Sequence, residues 1–339
     1  MTGQVTVALD GMGGDRAPAE PVRGAIAAAA DGVRVLIVGD RATLEAELAR
    51  QGGAPEGVEV VHAPQTVGSD EDGAKAVRAK PESSLVIACK LVADGSAQAV
   101  MSAGNTGATL AAATLHIRRL PGVIRPGIAV VMPSAGGPVV LIDAGANAES
   151  RPEYLQQFAV MGRLLARDVL LIPEPRVGLL SIGEEEGKGT EMVQETYERL
   201  SGTEGFVGNC EGRDIPRGTV DVVVTDGFTG NVALKLYEGA GAVMFREIRD
   251  ALRSSVRGRI GGLLARPAIK RLRAKFDADE YGGAYLLGVR GLVVIGHGNA
   301  SGYAIANAIR MGARGVRQDL TGRVEAGLGP GPWTAPDGP

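Results

Sequence analysis

Short runs of consecutive apolar residues alternate with longer segments in which apolar positions recur at helical spacing. The runs fall at 5–9, 35–38, 58–61, 99–101, 128–132, 139–142, 177–182, 220–224 and 292–295. A strand apolar on both faces belongs in a sheet covered on both sides, the pattern of a mostly parallel sheet between helices. The helical spacing predicts helices near 20–31, 41–51, 72–79, 82–94, 106–117, 152–167, 188–201, 231–253 and 301–314. One pair departs from strict alternation. Runs 128–132 and 139–142 are joined by Pro133-Ser134-Ala135-Gly136-Gly137-Pro138, which reads as a hairpin, so part of the sheet is expected to be antiparallel. No fixed-period repeat is seen.

Ligands on open α/β sheets bind at the carboxyl ends of strands. Five predicted strand ends carry glycine or polar clusters. They are Asp10-Gly11-Met12-Gly13-Gly14-Asp15, Ser102-Ala103-Gly104-Asn105-Thr106-Gly107, Asp143-Ala144-Gly145-Ala146-Asn147, the loop 183–189 with Lys188, and Asp226-Gly227-Phe228-Thr229-Gly230-Asn231. If the strands are parallel, all five sit on one rim. The turns at 102–109 and 226–231 each lead from strand to helix, where backbone N–H groups and the helix dipole attract an anion. Each also reads as a plain connection capped by Thr229, Asn231 or their counterparts. Lys188, between two glycines, is suited to neutralise a phosphate or a developing oxyanion; it reads equally as a surface lysine balancing Glu184, Glu185 and Glu186.

Composition narrows the function classes. With 339 residues, 45% apolar and 22% charged, the chain is expected to be globular. Aromatics are only 4%, against a stacking platform for nucleic acid. The net charge of −3 is uneven: residues 246–275 hold ten Lys/Arg and two Asp/Glu, a local +8, which leaves −11 for the rest. That segment carries Ile248, Leu252, Val256, Ile260 and Leu264 at four-residue spacing. Gly261 and Gly262 soften it and Pro267 is expected to interrupt it; beyond, it carries Ile269, Leu272 and Phe276 among Lys270, Arg271, Arg273 and Lys275. It reads as a core-facing helix pair with a solvated basic face, or as a hairpin at about 246–276 that touches anionic lipid or an acidic protein. Two isolated cysteines, Cys89 and Cys210, fit a reducing cytosol. No leader, membrane-spanning run, Walker loop, nucleophile elbow or GxGxxG after a strand is found. Asp10, Asp15, Asp143 and Asp226 share no metal-ligand spacing, so no metal or other cofactor is expected. Of the three histidines, His297 is the one expected to serve a strand-end site.

Taken together the glycine turns resemble the phosphate acyltransferase family of bacterial phospholipid synthesis. The resemblance covers 5–312 and rests on the blocks beginning at Ala8, Ser102, Asp143, Gly178, Asn209, Asp226 and Glu280. It implies a Rossmann-like three-layer αβα sandwich with a mixed, mostly parallel sheet, of the isocitrate/isopropylmalate dehydrogenase type and usually a homodimer. A single α/β domain over 1–318, or two subdomains sharing one sheet, and a disordered tail over 327–339 are expected. The implied activity makes acyl phosphate from acyl-(acyl carrier protein) and inorganic phosphate. The product passes to a membrane acyl-phosphate:glycerol-3-phosphate acyltransferase. Lys188 and Asn231 are the expected catalytic residues. Asp10, Gly13, Gly14, Ser102, Gly104, Asn105, Thr106, Asp143, Asn147, Asp226, Gly227, Thr229, Gly230 and His297 are the expected phosphate and thioester contacts. Leu263, Leu264, Arg266, Ile269, Lys270, Arg271 and Leu272 are the expected membrane or carrier-protein contacts. The implied setting is cytoplasmic, with peripheral contact at the inner face of the membrane. The readings held against this are an acyl-coenzyme A phosphotransacylase, a NAD-dependent decarboxylating dehydrogenase of the same fold, and a non-catalytic membrane-docking scaffold.

Overall fold

The computed structural model describes residues 4–276 and 278–329. The first part of the chain forms β1 (Thr6–Asp10), α1 (Ala19–Ala29), β2 (Arg34–Gly39), α2 (Arg41–Arg50), β3 (Val58–His62), α3 (Gly73–Ala79), α4 (Ser84–Ala93), β4 (Ala99–Ser102) and α5 (Thr106–Ala112). A π-helical turn, Ala113–Ile117, extends α5. There follow β5 (Gly127–Met132), β6 (Val139–Ile142), α6 (Pro152–Asp168), β7 (Val177–Leu180), α7 (Glu191–Leu200), β8 (Phe206–Cys210), α8 (Asp214–Arg217) and β9 (Val222–Val224). The last part forms α9 (Gly227–Arg253), α10 (Val256–Lys275), β10 (Ala284–Leu287), β11 (Leu292–Ile295), α11 (Gly302–Arg317) and α12 (Leu320–Leu328). Of the tail expected from 327, residues 330–339 lie outside the described residues, while Gly327 belongs to α12.

Helix starts follow the short polar residues that precede them. Asp40, Asp72, Asn105, Thr190, Asp226 and Ser301 each accept a bond from the amide three residues on. Such caps satisfy an amide that the helix itself leaves open.

The described strands make one eleven-stranded sheet in the order β3-β2-β1-β4-β11-β10-β5-β6-β9-β7-β8. Seven neighbouring pairs are parallel and three antiparallel. The expected hairpin is present, with Met132 opposite Val139. Alternate residues of each strand enter two separate cores. Val7, Leu9, Val140 and Ile142 pack with α1, α6 and α11 on one face. Ala8, Val100, Leu141 and Val223 pack with α4, α5 and α9 on the other. Strands β8 and β10 and helix α12 were not expected. β8 (Phe-Val-Gly-Asn-Cys) has a broken apolar pattern, because as the sheet edge it is only half buried.

One expectation is overturned. Because β10 and β6 are antiparallel to their neighbours on the β1 side, the sheet has two halves of opposite direction. β1, β2, β3, β4, β11 and β5 run one way; β10, β6, β9, β7 and β8 run the other. The five polar strand ends therefore do not share a rim. Asp10, Ser102 and His297 lie at one edge, and Asp143, Lys188 and Asp226 at the opposite edge. Strands of four or five residues separate the edges by roughly 13–17 Å.

The basic segment also differs. The stripe from Ile248 to Leu264 is broken at Ser254-Ser255, where the Ser254 hydroxyl bonds the Ala251 carbonyl and the Ser255 hydroxyl accepts from the Gly258 amide. Pro267 does not interrupt α10 but lies inside it. Val256, Ile260, Leu263, Leu264 and Leu272 are exposed, so the core-facing reading of this stripe fails.

Close helix contacts depend on small residues. A β-carbon at Gly24 would overlap the Ile305 side chain where α1 crosses α11. Gly24→Ala is expected to destabilise the fold by about 1–3 kcal/mol in urea unfolding; unchanged stability would contradict this packing.

Candidate active site

At the edge where β6, β9 and β7 end, the buried carboxylate of Asp143 organises the backbone. Oδ1 accepts from the amides of Ile128 (3.0 Å), Gly145 (3.1 Å) and Ala146 (2.8 Å). Oδ2 accepts from the amide (2.8 Å) and side chain (2.9 Å) of Asn147. Burial pushes the Asp143 carboxyl above the ordinary aspartate range, and these hydrogen bonds pull the other way. Asn147 also donates to the Pro126 carbonyl (2.8 Å). Asp143 and Asn147, expected as substrate contacts, are thus committed to holding the turn.

Helix α9 is seated on that turn. The Gly227 amide donates to the Asn147 carbonyl (2.9 Å), and a β-carbon at Gly227 would come within 2.5 Å of that oxygen. A β-carbon at Gly230 would overlap the Asp143 carbonyl oxygen. The two glycines therefore serve close helix–turn approach. The cap is Asp226, which accepts from the Thr229 amide at 2.9 Å, and not Thr229 or Asn231. Gly230 donates to the Asp226 carbonyl at 2.9 Å. Three of the first four amides are thereby taken, which corrects the expectation of a bare backbone cradle at this turn. Asn231 is exposed beside Gly145, and among the described residues its amide has no hydrogen-bond partner.

β7 lies beside β9, so loop 183–189 leaves the sheet next to the Asp226 turn. Lys188 is exposed, with its aliphatic stem over Gly183. Glu184 pairs with Arg213 (3.2 Å), not with Lys188, and among the described residues Lys188 makes no ion pair. Gln194 of α7 donates to the carbonyls of Gly187 (2.9 Å) and Gly189 (3.2 Å), and Asn209 donates to that of Glu185 (2.8 Å). Gln194 and Asn209 are loop anchors that periodicity does not reveal.

At the opposite edge, Asp10 is buried and accepts from the Ser102 hydroxyl (2.8 Å), which itself accepts from the Gly104 amide (3.1 Å). Burial pushes the Asp10 carboxyl up, while bonds from Ser84, Ser102, Met12 and Gly13 pull it down; burial prevails. A β-carbon at Gly13 would meet Asp10 Oδ2 and the Gly104 amide, and Gly14 has φ +103°. Asp15 donates its amide to Gly298 (2.7 Å), which joins this turn to the His297 loop. Asn105 caps α5 and donates to the Glu71 carbonyl (2.8 Å), so it fixes the 68–71 loop; Thr106 is exposed.

His297 Nε2 lies 3.3 Å from Glu238 Oε1, and Lys235 Nζ lies 2.9 Å from Glu238 Oε2. Burial pushes the Glu238 carboxyl up, but the bonds from His297 and Lys235 outweigh it and leave it below the usual range. Lys235 and Glu238 were not singled out from sequence, because the pairing joins α9 to a distant loop. α9 thus spans both groups: Gly227 to Glu238 is about 16 Å of helix at about 1.5 Å per residue. A cavity of about 440 Å³ between α6, α7 and α12 belongs to neither group, and its arginines Arg163, Arg167 and Arg323 are ion-paired.

The family model described as fatty acid synthesis protein matches residues 5–323. A phosphate acyltransferase of Thermus thermophilus is 51% identical over 324 residues, covering 95% of this chain and 98% of that protein. The fold is similar to a phosphotransacetylase from Streptococcus pyogenes (TM-score 0.64, 16% identity, 93% of this chain and 94% of that one). It is also similar to a 4-hydroxythreonine-4-phosphate dehydrogenase from Klebsiella pneumoniae (TM-score 0.51, 16% identity, 92% and 99%). At these identities the two structures speak to fold alone.

The raised carboxyl of Asp10 has a pH consequence. A folded-state value above the unfolded one gives stability that is full below the ordinary aspartate value of 3.8 and is lost as pH rises through the raised value. The urea midpoint of wild type minus that of Asp10→Asn is therefore expected to fall as pH rises from the ordinary aspartate value of 3.8 through the raised one. A rising difference would contradict the burial account.

Proposed function

The chain belongs to the family of fatty acid synthesis proteins, and we propose that it is an acyltransferase that moves an acyl group from a thioester to inorganic phosphate. A phosphate oxygen attacks the thioester carbonyl carbon, a tetrahedral oxyanion forms, the C–S bond breaks, and acyl phosphate and thiol result. The enzyme has to hold a dianion against an electron-rich carbonyl and stabilise the new negative charge. Lys188 and Asn231 meet those needs, the first as a point charge and the second as an amide donor. The observation that carries the reading is that both are exposed and unpartnered among the described residues, while the turn and loop that carry them are held by Asp143, Asp226 and Gln194. Phosphate is itself the nucleophile, so the reaction needs no serine or cysteine triad.

The reading extends to acyl carrier protein as the thioester donor and to phospholipid synthesis as the pathway, with a membrane acyl-phosphate:glycerol-3-phosphate acyltransferase taking the product. It also takes the fold to be the three-layer sandwich of the isocitrate/isopropylmalate dehydrogenase type. Phe228, Val232 and Leu236 form an exposed apolar stripe along α9 that supports a homodimer, with a second copy as its cover. Such a copy also offers a way for the two sheet edges, remote within one chain, to serve one reaction. Among the described residues no helix is long and apolar enough to cross a membrane. The exposed Leu263 and Leu264, beside Arg266, Lys270 and Arg271, support peripheral contact of α10 with anionic lipid from the cytoplasmic side.

Lys188→Ala and Asn231→Ala are expected to unfold in urea like wild type but to lose about a hundredfold or more in turnover; wild-type turnover in either sinks the assignment. Comparing acyl carrier protein with coenzyme A thioesters identifies the donor. For α10, the double change Leu263→Glu, Leu264→Glu is expected to abolish sedimentation with anionic liposomes, and unchanged sedimentation argues against lipid contact.

A further inference from the structure

A cavity of about 310 Å³ lies beside the Asn147 turn, lined by Arg125, Asn147, Glu149, Ser150, Arg151 and Tyr154. Its volume is that of a small-molecule site. Arg125 and Arg151 are exposed and, among the described residues, neither guanidinium has an ion pair or hydrogen bond. This sets them apart from the arginines of the larger cavity, which are all paired. The Ser150 hydroxyl is buried and has no hydrogen-bond partner. The cavity also holds the head of α6, a 17-residue helix that begins at Pro152 and has no side-chain cap at Arg151. The acid of its first turn, Glu153, is engaged by Arg199 at 2.7 Å. Two free guanidiniums outnumber the single carboxylate of Glu149, an unused hydroxyl adds a donor, and the helix head contributes the positive end of its dipole, since Pro152 has no N–H and the Tyr154 amide is bonded to the Arg151 carbonyl at 2.9 Å.

Forked guanidinium donors at a helix N-terminus match a phosphate group. We infer that this cavity is a phosphate subsite, held by Arg125, Arg151 and Ser150. It stands next to the turn that seats Asn231, since Asn147 belongs to both. Two phosphates enter the proposed reaction, the attacking inorganic phosphate and the phosphoester of the pantetheine arm that carries the thioester. In naming those sources the inference rests on the proposed function; the binding itself does not.

The test is direct binding, by calorimetry, of inorganic phosphate and of pantetheine 4′-phosphate to wild type, Arg125→Gln, Arg151→Gln and Ser150→Ala, with Arg34→Gln as a control. Each guanidinium change is expected to weaken one ligand by about tenfold or more, while Arg34→Gln leaves both unchanged. Weakened inorganic phosphate, with a raised KM for phosphate at constant kcat, identifies the attacking group. Weakened pantetheine 4′-phosphate, with a raised KM for the thioester, identifies the arm. Wild-type affinity for both ligands in both arginine variants overturns the inference, as does equal weakening in Arg34→Gln. If turnover is absent in every protein but binding still depends on Arg125 and Arg151, the subsite stands and the acyl transfer reading falls.

Discussion

The buried carboxylate of Asp143 is the constraint on which the site depends. Five hydrogen bonds from Ile128, Gly145, Ala146 and Asn147 converge on it, which fixes a turn whose backbone is the seat of α9. Gly227 and Gly230 let the helix descend onto that seat, and Asp226 closes its first turn. The consequence is local and chemical. With cap, turn and helix satisfied by one another, Asn231 is left with an unused amide at the surface, and Lys188 stands on a neighbouring loop held by Gln194 and Asn209. A buried carboxylate in so polar a cage is expensive to leave unpaired, so the same bonds that place the site also enforce its geometry.

The second constraint is sheet direction. The antiparallel strands β10 and β6 split the sheet into opposed halves, and this divides glycine turns of similar sequence between two edges. Helix α9 is the element common to both, starting at the Asn231 edge and meeting His297 through Glu238 at the other. Its outward face carries Phe228, Val232 and Leu236, large apolar side chains in water. Isolated exposed apolar residues are ordinary, but a stripe of them along one helix marks an interaction surface.

Much of the fold was legible in the sequence because its signals are local. The both-sides-apolar strands, the 133–138 hairpin and nearly every long helix could be read from periodicity and caps. The edge strand β8 could not, since half-burial erases the run, nor could β10, which gains its place from two antiparallel neighbours. Strand direction is likewise tertiary: nothing in the 102–107 or 226–231 turns says which edge they occupy. Within the candidate site, Lys188 and Asn231 could be read only as suitable residue types at strand ends. The difference between Asn231 and Asn105, one free and one committed to the 68–71 loop, was not, because it depends on distant carbonyls. Arg125 and Ser150 gave no motif at all; their proximity arises where the start of β5 meets the head of α6.

In the proposed reaction a phosphate oxygen replaces sulfur on the acyl carbon. Phosphorus NMR of the purified protein with a long-chain acyl carrier protein thioester and inorganic phosphate tests it most directly. An acyl phosphate resonance is expected that grows in step with free thiol and is absent without phosphate. Thiol release accompanied by free fatty acid, with no acyl phosphate signal and no dependence on phosphate, would contradict it.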